Sequence, residues 1–165
     1  MTASNGQQEA ARLERAVNTF VDRLRATPPD LLTRAPADGE WNARQLAAHE
    51  AEICAYWAQQ LAYLKTHPGQ PFGRTAEDAD RIKYIEDHKD DSLADLESAI
   101  RLGADQAAAA LRAYTDEEWS RITGIHSRRG VMDMDFVSNL FLAGHAEEHL
   151  NQLEGTLAAA NQKES

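Results

Sequence analysis

Apolar residues recur at three- and four-residue intervals over four long stretches, and no segment alternates convincingly enough to read as a strand. Leu13, Ala16, Val17, Phe20 and Leu24 share one face of a helix predicted over residues 7–26. Pro28-Pro29 ends it, because the residue before a proline is pushed out of helical space. Residues 31–39 read as a connector. Asn42 followed by Gln45 has the form of a capping box, in which each side chain satisfies an otherwise orphaned amide of the first turn. It predicts a second helix to about Leu64, with Leu46, Ile53, Trp57, Leu61 and Leu64 as its stripe. His67-Pro68-Gly69 and Pro71 then impose a loop, with a short helix expected within residues 76–87. Ser92 caps a third long helix to about Tyr114, its seam formed by Leu93, Leu96, Ile100, Ala107 and Leu111. Thr115 starts a single turn near Trp119, and Asp133 or Asp135 caps a last long helix ending near Ala160. Four long helices without interleaved strands predict an all-α four-helix bundle. The connector of about 25 residues between the second and third long helices is too long for a tight hairpin and predicts a crossover or lid.

Size and charge narrow the setting. A chain of 165 residues fits one domain spanning 1–165, with 1–6 and 161–165 expected as frayed tails. Such a domain buries roughly 70% of its unfolded surface and needs no disulfide framework. The single Cys54 agrees, and points to a reducing compartment, the cytoplasm. No run of 18 apolar residues exists to span a membrane, and Met1 to Gln8 lacks the apolar core of a signal peptide. Twenty-seven acidic against 17 basic residues give a net charge of −10, which argues against a nucleic-acid partner. The one short basic cluster, Arg128-Arg129, reads as a solvated turn before Gly130.

Candidate chemistry rests on the six histidines, 49, 67, 88, 126, 145 and 149. His145 and His149 stand at i and i+4, so on a helix both imidazoles can reach one ion. Six histidines in a chain of this length produce that spacing by chance often enough that spacing alone assigns no metal. Their position on the core stripe Val137, Phe141, Gly144, His145, Glu148, His149 and Gln152 adds weight, as does His49 between Leu46 and Ile53. Inward imidazoles need partners for their nitrogens, and a shared ion or buried hydrogen bonds would both provide them. Gly144 beside His145 allows a neighbour to approach closely. His67 and His88 read as exposed, and His126 in the 124–130 loop is a candidate fourth ligand. Cys54 lies about 140° around the helix from His49 and reads as an ordinary buried thiol. Tyr56, seven residues beyond His49, is a candidate for the pocket wall or the core.

Trp41-Asn42-Ala43-Arg44-Gln45-Leu46-Ala47-Ala48-His49, followed far downstream by His145-Ala146-Glu147-Glu148-His149-Leu150-Asn151-Gln152-Leu153, resembles the DinB-like superfamily. The resemblance implies an up-up-down-down bundle with a long connection between helices 2 and 3, commonly a homodimer. It also implies a site for zinc, nickel, iron or manganese on His49, His145 and His149. Three imidazoles with open positions form a catalytic rather than a closed structural arrangement. The resemblance favours a small-molecule enzyme that binds the thiolate of a low-molecular-weight thiol, an S-transferase type. Glu52 and Glu148, each three residues after a histidine, are candidates for orienting a ligand or handling a proton; solvent-facing or ion-paired side chains are the alternative. Hydrolysis by metal-bound hydroxide, and non-catalytic metal or small-ligand binding in stress response, are the competing functions.

Overall fold

The structure is a computed structural model and describes residues 3–162. Four long helices, α1 (Asn5–Arg25), α3 (Ala43–Thr66), α5 (Leu93–Arg112) and α8 (Ala143–Gln162), form a four-helix bundle. Shorter elements join them: α2 (Pro29–Leu32), β1 (Pro71–Phe72), α4 (Ala79–His88), α6 (Asp116–Arg121), the strands β2 (Thr123–His126) and β3 (Gly130–Asp133), and α7 (Met134–Phe141). The local signals act as the sequence suggests. Asn42 and Gln45 form a reciprocal capping box at α3, Thr115 and Glu118 another at α6, and Ser92 and Asp133 cap α5 and α7. Helix α1 starts at Asn5 and α8 ends at Gln162, so residues 5, 6, 161 and 162 are helical instead of frayed; Ser4 caps α1 through its own capping box with Gln7. Residues 1, 2 and 163–165 of the expected tails lie outside the described residues.

Around the bundle the order is α1, α5, α3, α8, so the first and second long helices are diagonal. Side-chain pairings fix the directions. Arg25 pairs with Glu97 and Arg112 with Glu14, so α1 and α5 run antiparallel. Arg12 reaches Glu147 and Arg23 reaches Glu154, so α1 and α8 run parallel. Gly103 abuts Ala51, and the Tyr114 hydroxyl donates to the Leu61 carbonyl at 2.6 Å, so α3 and α5 run parallel. The bundle and the long connection are as expected, but the directions read up-down-down-up in place of up-up-down-down. The reason is mechanical. The segment of residues 26–42 reverses the chain at one end of the bundle, and two parallel neighbours then need a crossover running back along its length.

Two further departures matter for the site. The last long helix is broken at Leu142, whose φ of −130° and ψ of −97° are not helical. Gly144 is required there, because a Cβ would lie 2.1 Å from the Asn139 carbonyl oxygen. Three short strands also occur: β1 pairs parallel with β2, and β2 with β3 as a hairpin. At two to four residues each, they are too short for alternation to stand out.

The core includes Leu13, Phe20, Leu24, Leu46, Leu61, Leu64 and Ile100, all with no exposed surface. Each such burial contributes about 1.5–3 kcal/mol. Parallel α3 and α5 approach closely at Gly103, where a Cβ would meet the Ala51 carbonyl oxygen at 2.9 Å and the Ala55 nitrogen at 3.1 Å. Backbone cannot yield as a flexible side chain does. Gly103→Ala should therefore lower stability by about 1–3 kcal/mol, read in urea as a lower midpoint at unchanged m value. An unchanged midpoint would show that the two helices are not held at this distance.

Candidate functional site

Helices α3 and α8 run antiparallel where they meet, and this brings residue 49 level with residue 149. The ligand-capable atoms of His49, His145 and His149 lie within 4.8 Å of one another. His49 is 2% and His149 4% exposed; His145 is half-buried at the edge of the cluster. The His49 ring lies edge-on to both others, 4.7 Å from His149 and 6.1 Å from His145 between centroids. The rings of the i, i+4 pair on α8 lie tilted to one another with centroids 4.1 Å apart. Trp41, at the start of the segment that leads into α3, packs edge-on against His49 at 5.2 Å.

Each imidazole has a carboxylate near its Nδ1. For His149 the partner is Glu50, which is 1% exposed, at 2.5 Å. A carboxylate accepts in that bond, so Nδ1 carries a proton and Nε2 is the nitrogen left for the cluster. Glu148 Oε2 lies 3.5 Å from His145 Nδ1, and Glu52 Oε2 lies 4.0 Å from His49 Nδ1. The last pair is too long for a hydrogen bond, and both atoms are buried without a partner. Glu52 spends its other oxygen on Arg74, which also reaches Asp78 at 3.4 Å. Glu148 is largely exposed, so of the two sequence candidates only Glu52 is buried.

The electrostatics favour the uncharged form of His49 and His145. Burial pushes the His49 pKa far down, with His149, Arg81 and His145 adding to the effect. Burial and His149 push His145 down to about 4. Neutral imidazoles are the form that ligates a cation. Cys54 donates to Glu50 Oε1 at 3.6 Å, and burial together with Glu50 holds its thiol pKa well up. It is a protonated thiol supporting a carboxylate, more than the bare packing residue the sequence suggests.

A cavity of about 540 Å³ opens onto the cluster. Ile53, Trp57, Leu140 and Phe141 give it an apolar wall, with Trp57 and Phe141 stacked at 4.0 Å. Arg74 and Arg81 enter from the crossover, and Arg128 and Arg129 stand at the cavity from the β2–β3 turn. The last two are exposed as expected, yet they line the cavity and are not merely a solvated turn. His126 also lines it but is no fourth ligand. Its Nε2 donates to the Arg74 carbonyl at 3.0 Å and its Nδ1 accepts from the Arg128 amide at 3.3 Å, so both nitrogens are engaged. His67 and His88 lie elsewhere, the first stacked on Tyr63 and the second tilted against Tyr84. Tyr56 carries the Arg74 guanidinium on its ring face at 3.8 Å.

Sequence reasoning missed Glu50, Arg74 and Arg81. For Glu50 a signal existed: on a helix it lines up with Ala47 and Cys54, small residues of a buried face, where a carboxylate must find a partner. For the arginines none existed, because a loop's path is not written in periodicity.

Fold and cluster together define a helical bundle of the tri-histidine class. Residues 12–153 match the DinB superfamily, and the chain belongs to that family. No curated protein matches it in sequence. Among solved structures it is similar to YfiT from Bacillus subtilis, described as a probable metal-dependent hydrolase with an unusual four-helix bundle topology. That match has a TM-score of 0.74 at 16% identity, over 95% of this chain and 91% of the other. A mycothiol-dependent maleylpyruvate isomerase matches with a TM-score of 0.70 at 12% identity, over 95% of this chain and 63% of its own. TT2238, a four-helix bundle protein, matches with a TM-score of 0.60 at 18% identity, over 92% and 99%. At these identities the likeness is one of fold. No helix among the described residues is long and apolar enough to cross a membrane.

The depressed His145 pKa gives a test on metal-stripped protein. The unfolded chain protonates near the ordinary value of 6.5 and the folded chain only near 4. Stability from this group is therefore complete above about pH 6.5 and is lost as pH falls toward about 4. His145→Gln should flatten the melting temperature over that window relative to wild type. Parallel curves would show that this ring is solvated.

Proposed function

We propose that the protein is a metal-dependent enzyme in which His49, His145 and His149 hold one divalent transition-metal ion. The observation that carries this reading is the convergence of three imidazoles to within 4.8 Å, with the buried His49 Nδ1 left without a partner. From that spacing, shifts of about 1 Å would bring the nitrogens to the roughly 2.1 Å bond length of a shared ion. Imidazole donors suit zinc, nickel and iron. When bound, the ion supplies a Lewis acid that lowers the pKa of a thiol or water in its open position.

The chain's own residues do the rest. Glu50 takes the Nδ1 proton of His149 in a hydrogen bond and aims Nε2 at the cluster. Exposed Glu148 lies farther, 3.5 Å from Nδ1 of His145. Trp57 and Phe141 keep water from one side of the cavity. Buried Glu50 and Glu52 sit at ring Nδ1 atoms and are absent from the cavity wall, so neither is positioned to deprotonate an attacking water there. This favours a nucleophile that needs no protein base, the thiolate of a low-molecular-weight thiol, and hence S-transfer or thiol-assisted isomerisation of a small molecule. A second reading, hydrolysis, draws on Glu148, the one carboxylate of the cavity wall, as general base. The free, buried Cys54 supports a cytoplasmic setting. Exposed Ile125 and Val131, cross-strand partners, with exposed Phe136 nearby in sequence, support a homodimer.

Tag-free protein should carry about one transition-metal ion per chain by plasma mass spectrometry, and His149→Ala close to none. Full occupancy in that variant would discard the site. Glu50→Gln should weaken metal binding roughly 10–100-fold while the bundle persists by circular dichroism. Incubation with monochlorobimane and glutathione, bacillithiol or mycothiol should give metal-dependent conjugation with at least one thiol. Turnover of a generic ester without added thiol, and no conjugation, would decide for hydrolysis.

A further inference from the structure

The cavity is cationic in a chain whose net charge is −10. Four arginines line it against a single glutamate. Three of the four are accounted for or remote. Arg74 is paired with Glu52 and Asp78, Arg128 with Glu77 at 3.0 Å, and Arg129 stands exposed at the rim. Arg81 is different. It is half-buried, on the first turn of α4, and has no carboxylate within 4.0 Å among the described residues. Its Nη1 donates to the Ala76 carbonyl at 2.9 Å, and its Nη2 lies 3.5 Å from His49 Nε2. Its guanidinium also stands 5.2 Å from the Trp41 ring. Those contacts position the group without a salt bridge, and the carboxylates that attract it, Glu52, Asp78 and Glu77, act only from beyond 4.0 Å.

A half-buried guanidinium is costly without a counter-charge. Here the cost grows once a cation sits on the neighbouring imidazoles, since two like charges would then face one another. An anion between them relieves both. The guanidinium fork matches the two oxygens of a carboxylate or the oxygens of a phosphate, and the wall of Ile53, Trp57, Leu140 and Phe141 suits an apolar body.

We propose that this cavity binds a small organic anion, with its oxyanion headgroup on Arg81 beside the histidine cluster and its apolar body against Trp57 and Phe141. The proposal deepens the metal-enzyme reading by naming its substrate class, and anion binding itself does not require the ion.

Calorimetric titration of metal-stripped and zinc-loaded protein with benzoate, phenyl phosphate and benzamide tests it. At least one of the two anions should bind metal-stripped wild type at least tenfold more tightly than neutral benzamide. Arg81→Gln should lose at least tenfold of that affinity. Arg81→Lys, which keeps the charge without the fork, should lose less. Zinc stoichiometry should stay at the wild-type level in both variants, with melting temperature reporting that both fold. Equal binding of benzamide and the anions would overturn the proposal. So would anion affinity that survives Arg81→Gln but disappears in an Arg128→Gln, Arg129→Gln double variant, which would place the anion at the rim. Absence of zinc binding by the wild type, with Arg81-dependent anion binding intact, would sink the metal reading alone.

Discussion

A carboxylate buried to 1% exposure in the middle of a helical bundle is the constraint around which the rest is arranged. Glu50 has two compensations, the Nδ1–H of His149 at 2.5 Å and the thiol of Cys54 at 3.6 Å. An unpaired carboxylate there would cost several kcal/mol. Its bond to His149 therefore ties α3 to α8 at one height and fixes which nitrogen faces the cluster. The register of the two helices, the tautomer of the ring and the convergence of three imidazoles are consequences of one contact between residues 99 positions apart.

The bundle was largely legible because its signals are local. Capping boxes at Asn42 and Thr115, the cap at Ser92 and the leucine stripes each depend on residues within one or two turns. Directions were not legible, since they depend on which way a connector leads and no periodicity records that. The break at Leu142 was hidden for a related reason. Val137, Phe141 and His145 keep helical spacing across it, and only the contact between Gly144 and Asn139 reveals the interruption.

The same division runs through the candidate site. His49, His145 and His149 could be chosen because each falls on the core-facing stripe of its helix, although His145 proves only half-buried. Glu52 and Glu148 followed from their three-residue offset, although one proves buried and the other exposed. Arg74 and Arg81 lie on the crossover, where no repeat relates a residue to the core, and they surface only in three dimensions. His126 illustrates the opposite error. A histidine in a glycine-flanked loop resembles a mobile ligand until its Nε2 is seen to hold the crossover and its Nδ1 the turn of its own hairpin.

Parallel packing of α3 against α5 obliges the chain to send a strap of residues 67–92 along the outside of the bundle. That strap carries two of the cavity's arginines but none of the three histidines. The histidines and these arginines thus belong to physically separable parts, one the helical bundle, the other a peripheral ribbon. Substitutions or insertions in the ribbon can re-tailor what the cavity accepts at little expense to the bundle, which makes the scaffold well suited to diversification and to redesign.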